Sequence, residues 1–426
     1  MSSTSNTALS PLSASERSFG LFDHAALWLS LGVGVLVMQV GAYLVPAIGT
    51  QQAALVIVLG SILGAGLLAW TAMLGCNSGL SSAGLMHATY GSSFAKLPVL
   101  LNIVQLVGWT TFELVVMRDG TMAIARQGGG LAGALWPLAA TLLWGSVLVA
   151  LLAGSMVTLV RKFIGRYGLP LVIASLLWLT WQFLGKASAQ GLSVLWNRPG
   201  AGGMSTLQAL DLVIAMPVSW LPLVADFARH GRDGKTALRG TWLGYAVANI
   251  WCYALGVLVA ITTPSTDLVT ALLLAQGGLI ALGLILIDEV DNAYGDVYSG
   301  AVASHSLKPG WSVRRWGIVM AVLCTALALV LPMHSLEPFL LMLSSVFIPL
   351  YGVILARLSG KLNVAALVTE RQVNYSAVLI WFTGVLCYHL CANLAPAWGA
   401  ALPTLALTFA LARLTGDKPV KPSALA

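Results

Sequence analysis

The stretch LIDEVDNAYGDVYSG, residues 286–300, gathers acidic side chains in a chain that has few of them. It holds four of the 15 acidic residues among 426. At about 100° per residue, one helix face carries Asp288, Asn292, Asp296 and Ser299, with Glu289 at its edge and Asp291 on the other flank. An ionisable group at the bilayer centre costs at least about 2.5–3.5 kcal/mol, so this stripe predicts a polar cavity or a bundle interior. The alternative for Asp288 and Glu289 is a helix end in interfacial water.

A second polar stripe lies in the apolar segment NIVQLVGWTTFELVVMRDG. Gln105, Trp109 and Glu113 are spaced i, i+4, i+8 and therefore share one helix face. An indole offers a stacking surface, and a buried carboxylate can accept from an exocyclic amine while sharing a proton with a ring nitrogen. This pattern suits a flat, hydrogen-bonding ligand. The alternative is a tryptophan packed between helices and a glutamate bonded to a neighbouring helix.

Composition identifies the elements that must position these residues. The chain is 58% hydrophobic and 9% charged, with a mean hydropathy of +0.87, whereas soluble domains carry roughly 25% charged residues. Stretches of about 18 or more apolar residues cross a bilayer as helices. We predict twelve spans, at 25–47, 52–74, 94–117, 131–155, 163–185, 207–228, 239–262, 269–303, 313–331, 335–357, 374–394 and 397–414. The eighth is too long for one straight crossing and should be tilted or extend past the bilayer.

The basic residues predict the orientation of these spans. Of the 22 Lys and Arg residues, 18 fall on the side of the two termini, and the exceptions are Arg118, Arg126, Lys186 and Arg198. The positive-inside rule therefore predicts a multi-pass protein of the cell (inner) membrane with both termini cytoplasmic. The Ser/Thr-rich residues 1–22 have no apolar core, so we expect a disordered cytoplasmic tail and no signal peptide. A second cytoplasmic tail is expected at 415–426.

Several function classes find no support in the sequence. The net charge of +7 reflects membrane topology and does not indicate nucleic-acid binding. The G-x-x-x-x-G-K-[ST] motif is missing, so transport would use an ion gradient or a partner protein. Cys387, His389 and Cys391 fall short of a four-ligand metal set. We expect no cofactor apart from a coupling ion, and no obligatory protein partner is evident.

Helix-breaking residues recur in the first and sixth spans. Pro217 and Pro222 free backbone groups in DLVIAMPVSWLPLVADFARH. In SLGVGVLVMQVGAYLVP, Gly32, Gly34 and Gly41 lie around Gln39. Interrupted helices at corresponding positions of two halves indicate a transporter binding site near the bilayer midplane. The predicted fold class is an all-α polytopic membrane protein with twelve transmembrane helices. Its five-plus-five inverted-repeat core, 23–357, holds repeats at 23–185 and 207–357, and two additional helices follow at 374–414.

Three of these segments resemble the nucleobase:cation symporter family, which includes the cytosine, purine, allantoin and hydantoin permeases. SWLPLVADFARH resembles the family segment S-W-x-P-x-x-x-D-[FY]-x-R-[YFH], and Trp109-x-x-x-Glu113 is similar to its Trp-x-x-x-Gln pair. NAYGDVYSG looks like its N-x-x-x-N and [LV]-Y-S region and places Asp296 where an Asn would touch the ligand. The resemblance covers most of the ten-helix core. It implies an ion-coupled importer in which the tryptophan stacks on the ligand ring.

Overall similarity favours the hydroxymethylpyrimidine branch, which transports a thiamine precursor. Glu113 and Asp296 replace the family's amides, and carboxylates suit an aminopyrimidine better than a uracil-like or hydantoin ligand that presents carbonyl acceptors. Where sodium-coupled relatives carry two adjacent hydroxyl residues, this chain has Val290 and Asp291. Sodium and proton coupling therefore both stay open, since Asp291 could ligate a cation or a buried carboxyl group could carry a proton.

The leading hypothesis is a cation-coupled symporter that imports a pyrimidine across the bilayer by alternating access. Trp109 and Trp220 would sandwich the ring, and Glu113 and Asp296 would bond its edge. The assisting residues would be Gln39, Gln105 and Asn292, and the ion-coupling candidates are Asp288, Glu289 and Asp291. A cytosine or purine permease is the alternative among transporters. A membrane enzyme that uses buried carboxylates is the alternative from another class, but no nucleophile motif accompanies them, so we expect no enzymatic activity.

Overall fold

The computed structural model describes residues 8–416 except 128, 130–132, 134, 155–165, 265–266, 332, 362 and 369–370. Parts of both predicted tails (1–7 and 417–426) and the basic residues Arg161, Lys162, Lys418 and Lys421 lie outside the described residues. The helices are α1 Leu21–Ser30, α2 Val35–Ile48, α3 Thr50–Ser78, α4 Ser82–Tyr90, α5 Lys96–Gln127, α6 Leu135–Leu151, α7 Leu169–Gln190, α8 Leu192–Trp196, α9 Thr206–Ser219, α10 Leu221–Ala228, α11 Gly234–Thr262, α12 Leu268–Leu273, α13 Gly278–Leu307, α14 Val313–Val330, α15 Leu336–Leu358, α16 Tyr375–Leu394 and α17 Ala401–Thr415. Short 3-10 helices lie at Ala14–Glu16, Ala365–Val368 and Pro396–Trp398.

Each of the twelve predicted spans coincides with helical structure where the chain is described, and residues 131–132, 134, 155 and 163–165 of the fourth and fifth spans lie outside the described residues. Among the described residues, eight spans are long and apolar enough to cross a membrane, and the bent pair α1 and α2 supplies a ninth. The shorter apolar helices α6 and α17 and the acid-rich helix α13 account for the other three. The chain is a polytopic all-helical membrane protein, as predicted.

The eighth predicted span, 269–303, is not one continuous element. Helix α12 ends at Leu273, and Gly277 adopts a left-handed φ of 67° before α13 begins at Gly278. Glycine takes this conformation without the steric penalty that a Cβ imposes. A turn thus absorbs much of the excess length for which the sequence predicted tilt or extension, although α13 itself still has 30 residues.

Several loop contacts join loops that the predicted spans place on the same side of the membrane. At one end, Gly49 pairs with Pro199 and the His334 imidazole lies 3.3 Å from the Asp119 carboxylate. At the other end, Ser92 N–H donates to the carbonyl of Arg371 at 2.9 Å. Loops predicted to share a side of the membrane therefore share an end of the molecule.

The N-terminal segment differs from the predicted disordered tail. Leu12 N–H donates to the Gly79 carbonyl at 3.0 Å, and Phe19 N–H donates to the His230 carbonyl at 2.8 Å. The Phe19 side chain is fully buried, and the Arg17 guanidinium donates to a carbonyl of α3. Residues 8–20 are therefore ordered against the bundle. The prediction rested on the Ser/Thr-rich composition of the segment and therefore overlooked single residues, such as Phe19 and Arg17, that pack against the bundle.

Candidate functional site

The first span is interrupted between α1 and α2, and a carboxylate from the eighth span lies at the interruption. Glu289 Oε1 accepts from Val35 N–H at 2.8 Å, and Oε2 accepts from Asn292 Nδ2 at 2.9 Å. Asn292 Nδ2 also donates to the Val33 carbonyl at 3.0 Å. A helix N-terminus carries unpaired N–H groups and partial positive charge, which an anion stabilises. Glu289 and Asn292 therefore stabilise the interrupted helix, and α1 and α2 are bent by 62° at this point.

Asp288 and Asp291 converge on a single hydroxyl group of the first span. Ser30 Oγ lies 3.0 Å from Asp288 Oδ1 and 2.7 Å from Asp291 Oδ2. Since a serine hydroxyl has one hydrogen to donate, only one of these contacts can be a donation from Ser30. The second contact needs a proton on a carboxyl group or a cation between the oxygens. The geometry is therefore suited to holding either one.

These acids are not at a helix end. Asp288 and Glu289 are 6% and 2% exposed, and the helix that carries them begins at Gly278. The alternative of interfacial water therefore does not apply to them.

The sixth span is interrupted at Trp220, between α9 and α10. A proline at position 217 cannot donate to the Val213 carbonyl four residues earlier. That carbonyl instead accepts from the Tyr253 hydroxyl at 3.2 Å. The interruption is short, because α9 and α10 together still form one span of 23 residues.

Two amides of the third span bind the backbone around this interruption. Asn102 Nδ2 donates to the Pro222 carbonyl at 2.8 Å. Gln105 Nε2 donates to the Ser219 carbonyl at 3.2 Å and to Asn102 Oδ1 at 2.9 Å. Both hydrogens of the Gln105 amide are thus used within the protein, which leaves its Oε1 as the atom available to a ligand.

Four predicted ligand residues each bury a polar atom that has no partner within the described part of the chain. These atoms are Gln105 Oε1, Trp109 Nε1, Glu113 Oε2 and Asp296 Oδ2. The four side chains are between 1% and 6% exposed, and the carboxyl groups of Glu113 and Asp296 interact electrostatically. Buried polar atoms are bonded in the great majority of cases. This set of one indole donor and three oxygens therefore fits a polar ligand, especially one that donates hydrogen bonds.

The two tryptophans have different aromatic neighbours. Trp109 packs edge-on against Phe339, with ring centroids 5.1 Å apart, and Trp220 packs edge-on against Trp28 at 5.9 Å. The hydrogen bond from Gln105 to the residue before Trp220 links their helices. The sandwich of a ligand ring between the two indoles stays a prediction.

Gln39 lines a separate cavity of about 370 Å³ that reaches towards this region. Its wall includes Val35 and Phe112, and its other end holds Asp119 and His334. This volume lies within the roughly 300–1,000 Å³ of small-molecule sites. The cavity extends from Asp119 and His334 to Val35 at the start of α2, and among the described residues its lining includes neither Trp109 nor Glu113.

Sequence reasoning missed three residues that shape these sites. Asn102 precedes Gln105 by three positions and Trp109 by seven, so extending the polar stripe of the third span by one turn would have found it. Ser30 and Phe339 carried no such signal, because their roles depend on contacts with α13 and α5.

A bundle of membrane helices with interrupted first and sixth spans beside buried polar groups defines a transporter of the inverted-repeat class. More particularly, the chain belongs to the family described as permease for cytosine/purines, uracil, thiamine, allantoin, whose model matches residues 11–414. A cytosine permease of Escherichia coli O157:H7 is 24% identical over 429 residues, which cover 97% of both chains. A cytosine permease of Escherichia coli K12 is 27% identical over 247 residues, or 53% of this chain and 58% of that protein.

Solved structures support the same fold. Mhp1, a nucleobase-cation-symport-1 family transporter in a closed conformation with bromovinylhydantoin bound, has a TM-score of 0.81 at 17% identity and covers 97% of this chain and 94% of its own. A Na+-coupled sialic acid symporter has a TM-score of 0.64 at 10% identity, with 95% and 90% covered. These likenesses confirm the five-plus-five inverted-repeat fold. The relatives are permeases and transporters, which agrees with the expectation that this chain is not an enzyme.

Proposed function

We propose that the protein is a cation-coupled symporter that imports an aminopyrimidine by alternating access. The observation that carries this proposal is the group of unpaired buried atoms on Gln105, Trp109, Glu113 and Asp296. Three of these atoms are oxygens, two of them on carboxyl groups, so the group favours a ligand with an exocyclic amine and a protonated ring nitrogen. Trp109 and Trp220 stack on the ring in this proposal, while Gln39 and Asn292 assist.

Hydroxymethylpyrimidine, a thiamine precursor, is the substrate we favour, because the acids Glu113 and Asp296 stand where the family pattern has amide side chains. Cytosine is the second candidate. It also presents an exocyclic amine beside a ring nitrogen, and two relatives carry the name cytosine permease. Cytosine has a ring carbonyl that hydroxymethylpyrimidine lacks. A carboxylate repels this carbonyl, whereas an amide N–H donates a hydrogen bond to it.

The coupling ion in this proposal lies at Ser30, Asp288 and Asp291, where two carboxylates share one hydroxyl. Sodium is supported by the Na+-coupled neighbour of known structure, and a proton is supported by the need to neutralise two adjacent buried carboxylates. Glu289 contributes indirectly, because it fixes the start of α2 beside the ion. The protein works in the cell (inner) membrane, with both termini cytoplasmic and repeats at 23–185 and 207–357.

A binding panel on purified full-length protein tests the proposal. Thermal stability is measured with hydroxymethylpyrimidine, cytosine, uracil, adenine and hydantoin, each with and without sodium. We expect stabilisation by hydroxymethylpyrimidine above all the others and its loss in Trp109→Ala, since stacking on an aromatic side chain is worth about 1–3 kcal/mol. Equal stabilisation by uracil, or unchanged binding in Trp109→Ala, would contradict the assignment.

Glu113→Gln tests the chemistry of the ligand edge. Charge-assisted hydrogen bonds are roughly twice as strong as neutral ones, so affinity for hydroxymethylpyrimidine should fall while affinity for uracil is unchanged or improved. The measured quantity is the ratio of the two affinities, in the same lipid and at fixed pH. If both ligands weaken by the same factor, Glu113 has a structural role and the aminopyrimidine argument loses its main support.

A further inference from the structure

A cleft on the side of the bundle reaches the acid pair by a route that does not pass the predicted ligand residues. Helices α6, α7 and α13 border a cavity of about 220 Å³, whose wall includes Trp144, Leu171 and Ile287 as well as Asp288 and Asp291. Leu171 and Ile287 are 50% and 60% exposed on the outer surface of the bundle. In a membrane this surface faces lipid, so the cleft opens sideways towards the acyl chains.

The inner end of the cleft holds two carboxyl groups, each with one unpaired oxygen. Asp288 and Asp291 are 6% and 9% exposed. Each uses one carboxylate oxygen at Ser30, and within the described residues Asp288 Oδ2 and Asp291 Oδ1 have no hydrogen-bonding partner. Acyl chains can fill the apolar part of the cleft but offer nothing to these two oxygens. An occupant that satisfies both ends needs an apolar body and a cationic head.

An aromatic side chain at the wall adds to this preference. The Trp144 indole N–H donates to Thr121 Oγ1 at 3.0 Å, which fixes the orientation of the ring. The indole offers a flat apolar face against which the apolar body of a ligand can pack. A cavity of 220 Å³ is smaller than typical drug-sized sites of roughly 300–1,000 Å³. The expected occupant is therefore small.

We propose that this lateral cleft binds a small lipophilic amine, with the ammonium group at Asp288 and Asp291 and the apolar body against Trp144, Leu171 and Ile287. Such a ligand enters from the bilayer, where amphiphilic amines concentrate, and competes with the coupling ion without touching the pyrimidine site. The site thereby makes the transporter sensitive to membrane-soluble amines. The proposal needs only the acid pair and the cleft, so it stands independently of the identity of the transported substrate.

The test measures binding of N,N-dimethyl-2-phenylethylamine to the purified full-length protein in detergent. Its neutral counterpart is 2-phenylethyl methyl ether, which has a similar shape and no charge. The wild type should bind the amine, and it should bind the ether at least tenfold more weakly. Ile287→Trp fills the mouth of the cleft and should weaken amine binding at least tenfold. Ile280→Trp, at a 67% exposed position two turns earlier on the same helix, is the matched control and should stay within twofold of wild type.

Two further variants locate the amine. Asp288→Asn combined with Asp291→Asn should abolish the preference for the amine over the ether, and Trp109→Ala should leave amine binding within twofold. The proposal is overturned if Ile287→Trp binds the amine like the wild type, if the ether binds as well as the amine, or if Trp109→Ala loses amine binding. Leu171→Trp closes the cleft from the opposite wall and replaces Ile287→Trp if that variant does not fold. Normal amine binding without any pyrimidine binding would count against the proposed function alone.

Discussion

The two helix interruptions differ in the residues that break the helix and in the charge of the groups that bind the freed backbone. The first span breaks at glycines, is bent by 62°, and has a carboxylate, Glu289, at the N-terminus of its second half. The sixth span breaks between prolines, stays within one span, and has its free carbonyls bound by a tyrosine hydroxyl and by the neutral amides of Asn102 and Gln105. An anion stabilises a helix N-terminus, whereas freed carbonyls need donors.

This difference explains why the acidic residues gather in the eighth span. Glu289 accepts from the buried Val35 N–H at the start of α2, and Asp288 and Asp291 contact Ser30 at the end of α1. Asp296, further along the same helix, interacts with Glu113 of the third span more strongly than Glu289 and Asp291 do. A charged interruption can respond to a cation or proton, and a neutral one cannot. We therefore expect the stability of the first interruption to depend on the coupling ion, and that of the sixth to be independent of it.

Removing the charged cap should have the largest effect. Glu289→Ala leaves Val35 N–H and an Asn292 amide hydrogen without their acceptor. Since each buried unpaired group costs about 1–3 kcal/mol, we expect a loss of about 2–4 kcal/mol, measured as thermal stability in detergent. Asp267→Ala is the control, because Asp267 caps α12 through Thr270 N–H but is exposed. An exposed cap is worth about 0.5–2 kcal/mol. Equal losses in the two variants would show that burial of Glu289 adds nothing.

Crowding the cap should have the next largest effect. A Cβ at Gly34 would lie 2.9 Å from Glu289 Oε2 and 3.0 Å from Oε1, so Gly34→Ala displaces the carboxylate. We expect a loss of about 1–3 kcal/mol, the usual range for overpacking. Gly283→Ala provides the comparison, because nothing lies within 4 Å of a Cβ there, and alanine in a helix is favoured over glycine by up to about 1 kcal/mol. A stable Gly34→Ala protein would argue against the tight cap.

The sequence predicted the positions of the spans and of the two interruptions, but it did not predict which side chains contact them. Apolar length predicted the twelve spans, and their alternation predicted which loops lie together, because both follow from transfer of apolar segments to lipid. The cytoplasmic side assigned from the basic residues stays a prediction. Pro217, Pro222, Gly32 and Gly34 located both breaks, whereas Gly41 lies inside α2 and marks none. Which acid meets which helix could not be predicted, since the Asp288 and Asp291 contacts with Ser30 join residues more than 250 positions apart. The turn at Gly277 was missed because apolar residues continue on both sides of it.

The neutral interruption offers a smaller effect of a different kind. Asn102→Ala leaves the Pro222 carbonyl and one Gln105 amide hydrogen without their partner, and we expect a loss of about 1–2 kcal/mol. Any stabilisation by sodium should be unchanged in this variant, because no charged group is removed. Asn393→Ala is the control, since its amide donates to His389 of the same helix at an exposed position. A sodium effect that disappears in Asn102→Ala would mean that the two interruptions respond as one unit.

Ser30→Ala should have the smallest effect on stability and still separates the two coupling ions. Removing the hydroxyl costs about 1 kcal/mol, the net value of an ordinary hydrogen bond. Ser175→Ala, which removes a buried hydroxyl bonded to its own helix at Leu171, controls for the loss of a serine.

If sodium lies between the carboxylates of Asp288 and Asp291, it loses one oxygen ligand in Ser30→Ala, and the affinity of a protein for a hard cation depends on the number of such ligands. Sodium affinity should then fall about tenfold, equivalent to about 1.4 kcal/mol, and Ser30→Thr should restore it. If a proton is the coupling ion, sodium has no effect on either protein, and Ser30→Ala instead changes the pH dependence of uptake, because the two carboxyl groups lose the hydroxyl that both contact. Unchanged sodium affinity in Ser30→Ala, in a protein that sodium stabilises, would place the ion elsewhere, and the first interruption would then be no more ion-dependent than the sixth.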